Sequence, residues 1–278
     1  MTAVTRSDDR SNAPVLVLGH RGMLGRAVMA RFGDRAIGGD LPEVDITRPE
    51  QVRELIETHR PASIINCAAW TDVDGAESHP EEAMRLNGDA VGGLARVAAE
   101  TGTHLIAIST DYVFTGEGSE PWPEEAPESA FGPLSVYGQT KLEGERQLRA
   151  AGGAWCLART QWLYGAGGKN FVDTIATLAA ERESLRVVDD QIGAPTWTVD
   201  LAGMLALLVE HRATGPYHCV NSGYVSWHGI ACHIVERLGV ACRVEPCSTD
   251  EFPRPARRPF NSRLDQSRLI ALAGAPQR

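Results

Sequence analysis

The feature that most constrains the fold of this chain is a repeated alternation of short apolar runs with amphipathic helical segments. The first run, PVLVLG, occupies residues 14–19, and apolar residues at helical spacing follow it over residues 21–33. Further apolar runs, ASIINCAA, HLIAIST and AWCLART, are separated by segments with helical spacing. Strands that alternate with helices form parallel sheets. We therefore predict an α/β fold, a doubly wound parallel sheet of the Rossmann type, with its dinucleotide-binding core at residues 14–160.

The rest of the chain is organised differently. Beyond residue 160 the alternation becomes irregular, and loops such as FPRPARRPFNSRLD are typical of the ligand side of a site. We predict that residues 161–278 form a smaller C-terminal α/β substrate-binding region, partly interleaved with the Rossmann core. The polar residues 1–13 lack the apolar stretch of a secretory signal, so we expect a disordered leader and a cytoplasmic protein.

Composition excludes several classes of partner. A formal net charge of −9 argues against nucleic acid, which requires a basic surface to neutralise its phosphates. No apolar run approaches the roughly 18 residues of a membrane span, so no membrane partner is expected. The six cysteines form no CxxC pair and match no common zinc spacing, which predicts reduced thiols and no metal site. The sequence leaves a homodimer open.

The turn after the first predicted strand, GHRGMLG, carries glycine at three regularly spaced positions, Gly19, Gly22 and Gly25. Glycine lets such a turn close and lets backbone N–H groups approach a pyrophosphate, which then lies at the positive end of a helix. Glycines at this spacing could also form an ordinary turn. Their place between a strand and a helix at the start of an α/β domain favours a dinucleotide site.

An acidic residue about twenty positions further along usually binds the adenosine ribose in such a site. Asp40, at the end of RAIGGD, has the right place, and its carboxylate would repel a 2′-phosphate. The nearest arginine on that side, Arg35, precedes the strand. These residues favour NADH over NADPH, although Asp40 could instead be a solvated loop residue.

One lysine stands out because lysine is rare in this chain. Of the 27 Lys plus Arg residues only two are lysines, Lys141 and Lys169, and the remaining 25 are arginines. Lys141 follows Tyr137 by four residues, so on a helix both side chains share one face. An ammonium beside a phenol stabilises the phenolate and lowers its pKa, and it can also reach ribose hydroxyls. The alternative interpretation is an exposed helical lysine, and Lys169 is predicted to be a loop residue without an assigned role.

A hydroxyl group is predicted at the end of a neighbouring strand. The run LIAIST ends at Ser109, Thr110 and Asp111, on the carboxyl edge of the sheet where α/β proteins bind their ligands. A hydroxyl there can donate to a carbonyl together with the Tyr137 phenol and polarise it for hydride attack. The alternative is a residue that only terminates the strand.

Together these motifs resemble those of the extended short-chain dehydrogenase/reductases, and within them the dTDP-4-dehydrorhamnose reductase family. The stretches that carry this resemblance are INCAAWTDVDGAE (65–77), STDYVFTGEGSEPW (109–122), PLSVYGQTKLEGE (133–145), RTQWLYGAGGKNF (159–171), VVDDQIGAPTW (187–197) and RPARRPFNSRLD (254–265). With the first strand and its glycine turn included, the resemblance extends from residue 15 to about residue 265. Several of these stretches are specific to this family rather than to short-chain reductases in general, so the resemblance extends from fold to substrate class.

The resemblance implies roles for individual residues. The catalytic triad would be Thr110, Tyr137 and Lys141. The dinucleotide would contact Gly19, Gly22, Met23, Leu24, Gly25, Asp40, Asp45, Ile46, Cys67, Ala68, Ala69, Tyr137 and Lys141. The sugar nucleotide would contact Thr110, Asp111, Trp162, Asn170, Arg257 and Arg258. The two arginines suit a diphosphate, because a guanidinium binds phosphate oxygens in pairs, and their alternative is a solvated basic patch.

The implied activity is the NADH- or NADPH-dependent reduction of the C4 ketone of dTDP-4-dehydro-L-rhamnose to dTDP-L-rhamnose. NADH is favoured, because Leu41 stands where many family members have arginine. Two alternatives stay open at this point. One is a reductase of another nucleotide-linked 4-ketosugar from an antibiotic-sugar pathway, and the other is a non-catalytic NAD(P)-binding regulatory subunit.

Overall fold

The computed structural model describes residues 13–275, and its first half alternates strands and helices as predicted. The strands are β1 (Val15–Leu18), β2 (Ala36–Gly39), β3 (Ser63–Asn66), β4 (His104–Thr110), β5 (Trp155–Thr160), β6 (Leu163–Tyr164), β7 (Ser184–Val188), β8 (Ile192–Gly193), β9 (Thr196–Trp197), β10 (Gly215–His218), β11 (Val225–Ser226) and β12 (Arg243–Cys247). The helices are α1 (Met23–Phe32), α2 (Pro49–His59), α3 (Val73–Ser78), α4 (Pro80–Met84), α5 (Ala90–Thr101), α6 (Val136–Ala151), α7 (Phe171–Glu181), α8 (Thr198–Glu210), α9 (Trp227–Leu238) and α10 (Ser267–Ala273). The predicted leader lies outside the described residues, apart from residue 13.

A six-stranded sheet with the order β10-β5-β4-β3-β1-β2 forms the centre of the structure. Each neighbouring pair of strands in it is parallel. The chain moves outward from β1 in one direction to β2 and in the other to β3, so the order reverses at β1. Crevices at such a reversal are the usual ligand sites of doubly wound sheets. The predicted α/β class is therefore confirmed.

Both faces of the sheet are buried, as the side chains of β1 illustrate. Its four residues are fully buried and alternate between two apolar clusters. Val15 and Val17 pack with α1 and α8, whereas Leu16 and Leu18 pack with α2 and α5. A strand buried on both faces reads as a continuous apolar run, which is why VLVL lacks the polar alternation of a half-exposed strand.

The C-terminal half contributes to the central sheet as well as to a separate layer. Strand β10 pairs with β5, and α8 packs against α1. A separate apolar cluster joins α7 and α9 to the parallel pair formed by β7 and β12. Two further pairs, β8 with β11 and β6 with β9, are only two residues long. The domain boundary at residue 160 stays a prediction.

Three further observations concern residues 13–275. None of the helices in this range is both long and apolar enough to cross a bilayer. All six cysteines are free thiols. Within the same range, no group of three or more His, Cys, Asp or Glu side chains is placed to hold a metal ion.

Candidate active site

The turn between β1 and α1 is packed so closely that two of its residues must be glycine. Gly19 adopts a positive φ of 73°, and a Cβ there would lie 2.6 Å from the Ala68 nitrogen. A Cβ on Gly25 would lie 2.1 Å from the Gly19 oxygen. Gly22 caps α1 without any side-chain hydrogen bond. A tight turn that leads into a helix without a side-chain cap fits a bound pyrophosphate.

At the end of β2, Asp40 is held by backbone N–H groups and is accompanied by an arginine. Its carboxylate accepts from Arg21 N at 2.8 Å and from Leu41 N at 2.9 Å. The Arg21 guanidinium donates to the Leu41 carbonyl and pairs with Glu43 at 3.0 Å. The sequence indicated only Arg35 on this side, whereas the structure brings Arg21 to the end of β2. Arg21 belongs to the glycine turn itself, and that position was the signal that could have revealed it.

The remaining predicted cofactor residues lie along the same edge. Cys67 donates its backbone N–H to the Leu18 carbonyl, and Ala68 donates to the Asn66 side chain at 3.2 Å. Burial raises the pKa of the Cys67 thiol to about 12, so it stays neutral. Asp45 accepts from Thr47, and these hydrogen bonds lower the pKa of its carboxyl. The Ile46 side chain is buried in the sheet core. We call residues 19–25, 40–46 and 66–69 the cofactor edge.

Helix α6 carries the predicted tyrosine and lysine. Ser135 caps it by accepting from Gly138 N at 3.2 Å. Lys141 is only 6% exposed, and its Nζ donates to the Ile108 carbonyl at 2.7 Å. The alternative of an exposed helical lysine is therefore wrong. Because Ile108 belongs to β4, the lysine ties the helix to the strand that ends at Thr110.

The protonation states of this pair differ from the expected ones. Burial raises the pKa of the Tyr137 phenol above its ordinary value, and the Thr110 hydroxyl acts in the opposite direction. Burial lowers the pKa of Lys141 to about 8, while the charge of Glu145 raises it. The lysine does not lower the tyrosine pKa in this structure. Tyr137 is therefore a protonated phenol at neutral pH, a form that can give a proton away.

At the end of β4, Thr110 and Asp111 form a short hydrogen-bonded chain. The Thr110 hydroxyl donates to Asp111 Oδ1 at 3.0 Å and accepts from Tyr112 N at 3.3 Å. Ser262 Oγ donates to Asp111 Oδ2 at 2.5 Å. Burial raises the pKa of the Asp111 carboxyl to about 7. Thr110 therefore does terminate the strand, and it also faces Tyr137.

The predicted substrate residues Trp162 and Asn170 both contact other residues of the protein. Trp162 has a positive φ of 50° and stacks on Trp227 with ring centroids 3.8 Å apart. Backbone strain of this kind is characteristic of functional sites. Asn170 caps α7 by accepting from Asp173 N at 3.0 Å and donates to the Gly165 and Gly168 carbonyls. Their contact with a substrate stays a prediction.

The two predicted phosphate-binding arginines have different surroundings. Both belong to residues 254–263, which we call the substrate loop. Arg258 is mostly buried and pairs with Asp74 at 3.0 Å. Arg257 is exposed. Ser262 joins the far end of the same loop to Asp111.

Sequence reasoning missed a buried ion pair directly behind the site. Arg159 and Glu145 are at most 1% exposed and form two hydrogen bonds, at 2.9 and 2.7 Å. Ser109 Oγ also donates to Glu145, at 2.7 Å. Glu145 lies one helical turn beyond Lys141, so this pair fixes α6 against β4 and β5. The available signal was the charge of Arg159 inside the otherwise apolar run AWCLART.

The chain is similar to known proteins over nearly its whole length. The family model described as the RmlD substrate binding domain matches residues 13–278. A dTDP-4-dehydrorhamnose reductase of Streptomyces griseus is 43% identical, covering 95% of this chain and 89% of the relative. A probable dTDP-4,6-dihydroxy-2-methyloxan-3-one 4-ketoreductase of Streptomyces antibioticus is 38% identical, covering 95% and 90%. A crystal structure of dTDP-4-dehydrorhamnose reductase from Bacillus anthracis in complex with NADP is 34% identical, with a TM-score of 0.90 and coverage of 96% and 94%.

Proposed function

This chain belongs to the family of the RmlD substrate binding domain, and on that premise we propose that it reduces the C4 ketone of dTDP-4-dehydro-L-rhamnose to dTDP-L-rhamnose. The observation that carries this proposal is that Tyr137 interacts with Thr110 at the end of β4, while Lys141 on the same helix donates to the Ile108 carbonyl of that strand. Relatives named dTDP-4-dehydrorhamnose reductase are similar to nearly the whole chain.

A reduced nicotinamide dinucleotide would supply the hydride for this reaction. The close-packed glycine turn and the helix without a side-chain cap fit its pyrophosphate. The residues that would hold it are Gly19, Gly22, Met23, Leu24, Gly25, Asp40, Asp45, Ile46, Cys67, Ala68, Ala69, Tyr137 and Lys141. We propose that the enzyme accepts NADH and NADPH. Asp40 and Leu41 favour NADH, whereas Arg21 supplies a cation for NADPH.

In this mechanism Tyr137 donates its proton to the C4 oxygen as that oxygen gains negative charge. Thr110 orients the same oxygen through its hydroxyl. Lys141 is held by the Ile108 carbonyl, and from there its ammonium would bind the ribose hydroxyls of the cofactor. One proton and one hydride convert the ketone to an alcohol. Burial of these groups strengthens each electrostatic contact, since little water competes.

A turnover assay tests this proposal directly. Oxidation of NADH and NADPH is followed with dTDP-4-dehydro-L-rhamnose and with a panel of other nucleotide-linked 4-ketosugars. Tyr137→Phe is expected to lower kcat roughly 100-fold or more, because the proton donor is gone, while cofactor Kd stays near the wild-type value. The control is Tyr112→Phe, which removes the hydroxyl of the ring that packs edge-on against Tyr137. Wild-type turnover by Tyr137→Phe would overturn the assignment.

A second candidate is the reduction of another dTDP-linked ketosugar. It is favoured by the similarity to the probable 4-ketoreductase of Streptomyces antibioticus. The substrate panel separates the two by comparing kcat/KM. A non-catalytic regulatory subunit is the least favoured alternative, because Thr110, Tyr137 and Lys141 are all present. The cytoplasmic location and a homodimer stay predictions.

A further inference from the structure

One carboxylate holds the first half of the substrate loop. Asp74 Oδ2 accepts from Arg254 Nε at 3.0 Å and Nη2 at 2.6 Å. Asp74 Oδ1 accepts from Ala256 N at 3.1 Å and pairs with Arg258 Nη1 at 3.0 Å. The Asp74 side chain is only 19% exposed, and these partners lower the pKa of its carboxyl although burial raises it. Asp74 is therefore a charged anchor at neutral pH.

The helix that carries this anchor also contacts the catalytic helix. Asp72 caps α3 by accepting from Gly75 N at 2.9 Å. Glu77, at the other end of α3, accepts from Val136 N at 2.9 Å, and Val136 directly precedes Tyr137. Helix α3 thus lies between the substrate loop and the start of α6. Through these contacts, a movement of the substrate loop can shift helix α3 and, with it, the start of α6 that carries Tyr137.

The contacts with Asp74 recur at every second residue of the loop. Positions 254, 256 and 258 face the carboxylate, which leaves Arg257 outside this contact. Within the part of the chain that the structure describes, the Arg257 side chain has no ion pair or hydrogen bond with protein groups. A guanidinium without a carboxylate partner keeps its full charge and all of its donors for a phosphate.

We propose that Asp74 is a positioning residue which fixes the substrate loop through Arg254 and Arg258, and that Arg257 binds the diphosphate of the nucleotide sugar. The second half of this inference rests on the proposed function. The sequence predicted the same role for Arg257 and Arg258, and this inference gives them different ones. Arg258 holds the loop, and Arg257 is left for the ligand.

Proteolysis tests the anchor without any substrate. Trypsin does not cleave before proline, so within residues 254–258 it can cut only after Arg257. Asp74→Asn is expected to speed this cleavage about tenfold, because the loop loses its charged anchor. Asp250→Asn is the matched control, since Asp250 is exposed and has no partner in the described residues. Unchanged cleavage in Asp74→Asn would overturn the anchoring role.

Binding and kinetics test Arg257. Arg257→Gln is expected to raise the KM for the ketosugar nucleotide and the Kd for dTDP about tenfold, with kcat and thermal stability close to wild type. Asp74→Asn is expected to raise the same KM with little change in kcat, which a general loss of structure would not do. Normal KM and Kd values in Arg257→Gln would overturn its assignment. If the wild type neither binds dTDP nor reduces a ketosugar, the proposed function and the Arg257 assignment fail, and cleavage after Arg257 still decides the role of Asp74.

Discussion

The cofactor edge and the substrate loop form two sides of the proposed site, and they are built by different means. The cofactor edge is shaped by backbone conformation, as in the turn where Gly25 lies against Gly19, six residues away. The substrate loop is held by side chains from distant parts of the chain. Arg254 and Asp74 are 180 residues apart, and Ser262 and Asp111 are 151 apart. One side therefore depends on local sterics and the other on individual polar contacts.

This difference predicts that the cofactor edge tolerates substitution least. Gly25→Ala places a methyl group 2.1 Å from the backbone oxygen of Gly19, so the backbone of the turn would have to shift. We expect cofactor affinity to fall on the order of 100-fold, together with a loss of stability of about 1–3 kcal/mol. Calorimetric titration with NADH and thermal unfolding measure the two effects.

The matched control for this substitution is Gly203→Ala. Gly203 lies in α8 and has nothing within 4 Å of an added Cβ. Alanine there should leave cofactor binding unchanged and stabilise the helix by about 0.5–1 kcal/mol. If both glycine variants behaved alike, the cofactor edge would not be sterically determined.

The substrate side is expected to respond to pH instead. The pKa of Asp111 is raised from 3.8 to about 7, so the folded protein retains a proton that the unfolded chain has already lost. Stability from this group is therefore present below pH 4 and is lost as the pH rises toward 7. Asp111→Asn removes this pH dependence. The Tm of the variant minus the Tm of the wild type should therefore rise by roughly 5 °C from pH 4 to pH 7.

Thermal unfolding from pH 4 to pH 8 measures the difference between variant and wild type. Asp250→Asn serves again as the control, and its difference in Tm from the wild type should stay constant from pH 4 to pH 8. A flat difference for Asp111→Asn would show that this carboxyl is ionised in the folded protein, and the link between Ser262 and Asp111 would then be a charged one.

The smallest effect is expected at the contact between helix α3 and the start of α6. Glu77→Ala removes the carboxylate that accepts from Val136 N at the start of α6. Loss of one such cap costs about 1 kcal/mol of stability and should lower kcat about threefold, since Tyr137 is the second residue of the same helix. Steady-state kinetics would contradict this if only KM changed, because that result would place Glu77 with the substrate loop.

Sequence reasoning succeeded where the determining contacts are local. The parallel sheet followed from the alternation of strands and helices, the glycine turn from its spacing, and the place of Tyr137 and Lys141 in one helix from periodicity. It failed where two distant charges meet, as with Glu145 and Arg159 or Asp74 and Arg258. Periodicity places a residue on a face of its own element, but it carries no information about which side chain of another element lies opposite.

The scarcity of lysine has a practical consequence. Apart from the chain terminus, the protein has two primary amines, and one of them, Lys141, is buried with a pKa of about 8 while Lys169 is exposed. An amine-reactive label should modify Lys169 quickly and Lys141 much more slowly, because Lys141 is buried and donates to the Ile108 carbonyl. The ratio of the two modifications would therefore report how often the Lys141 amine becomes accessible to solvent.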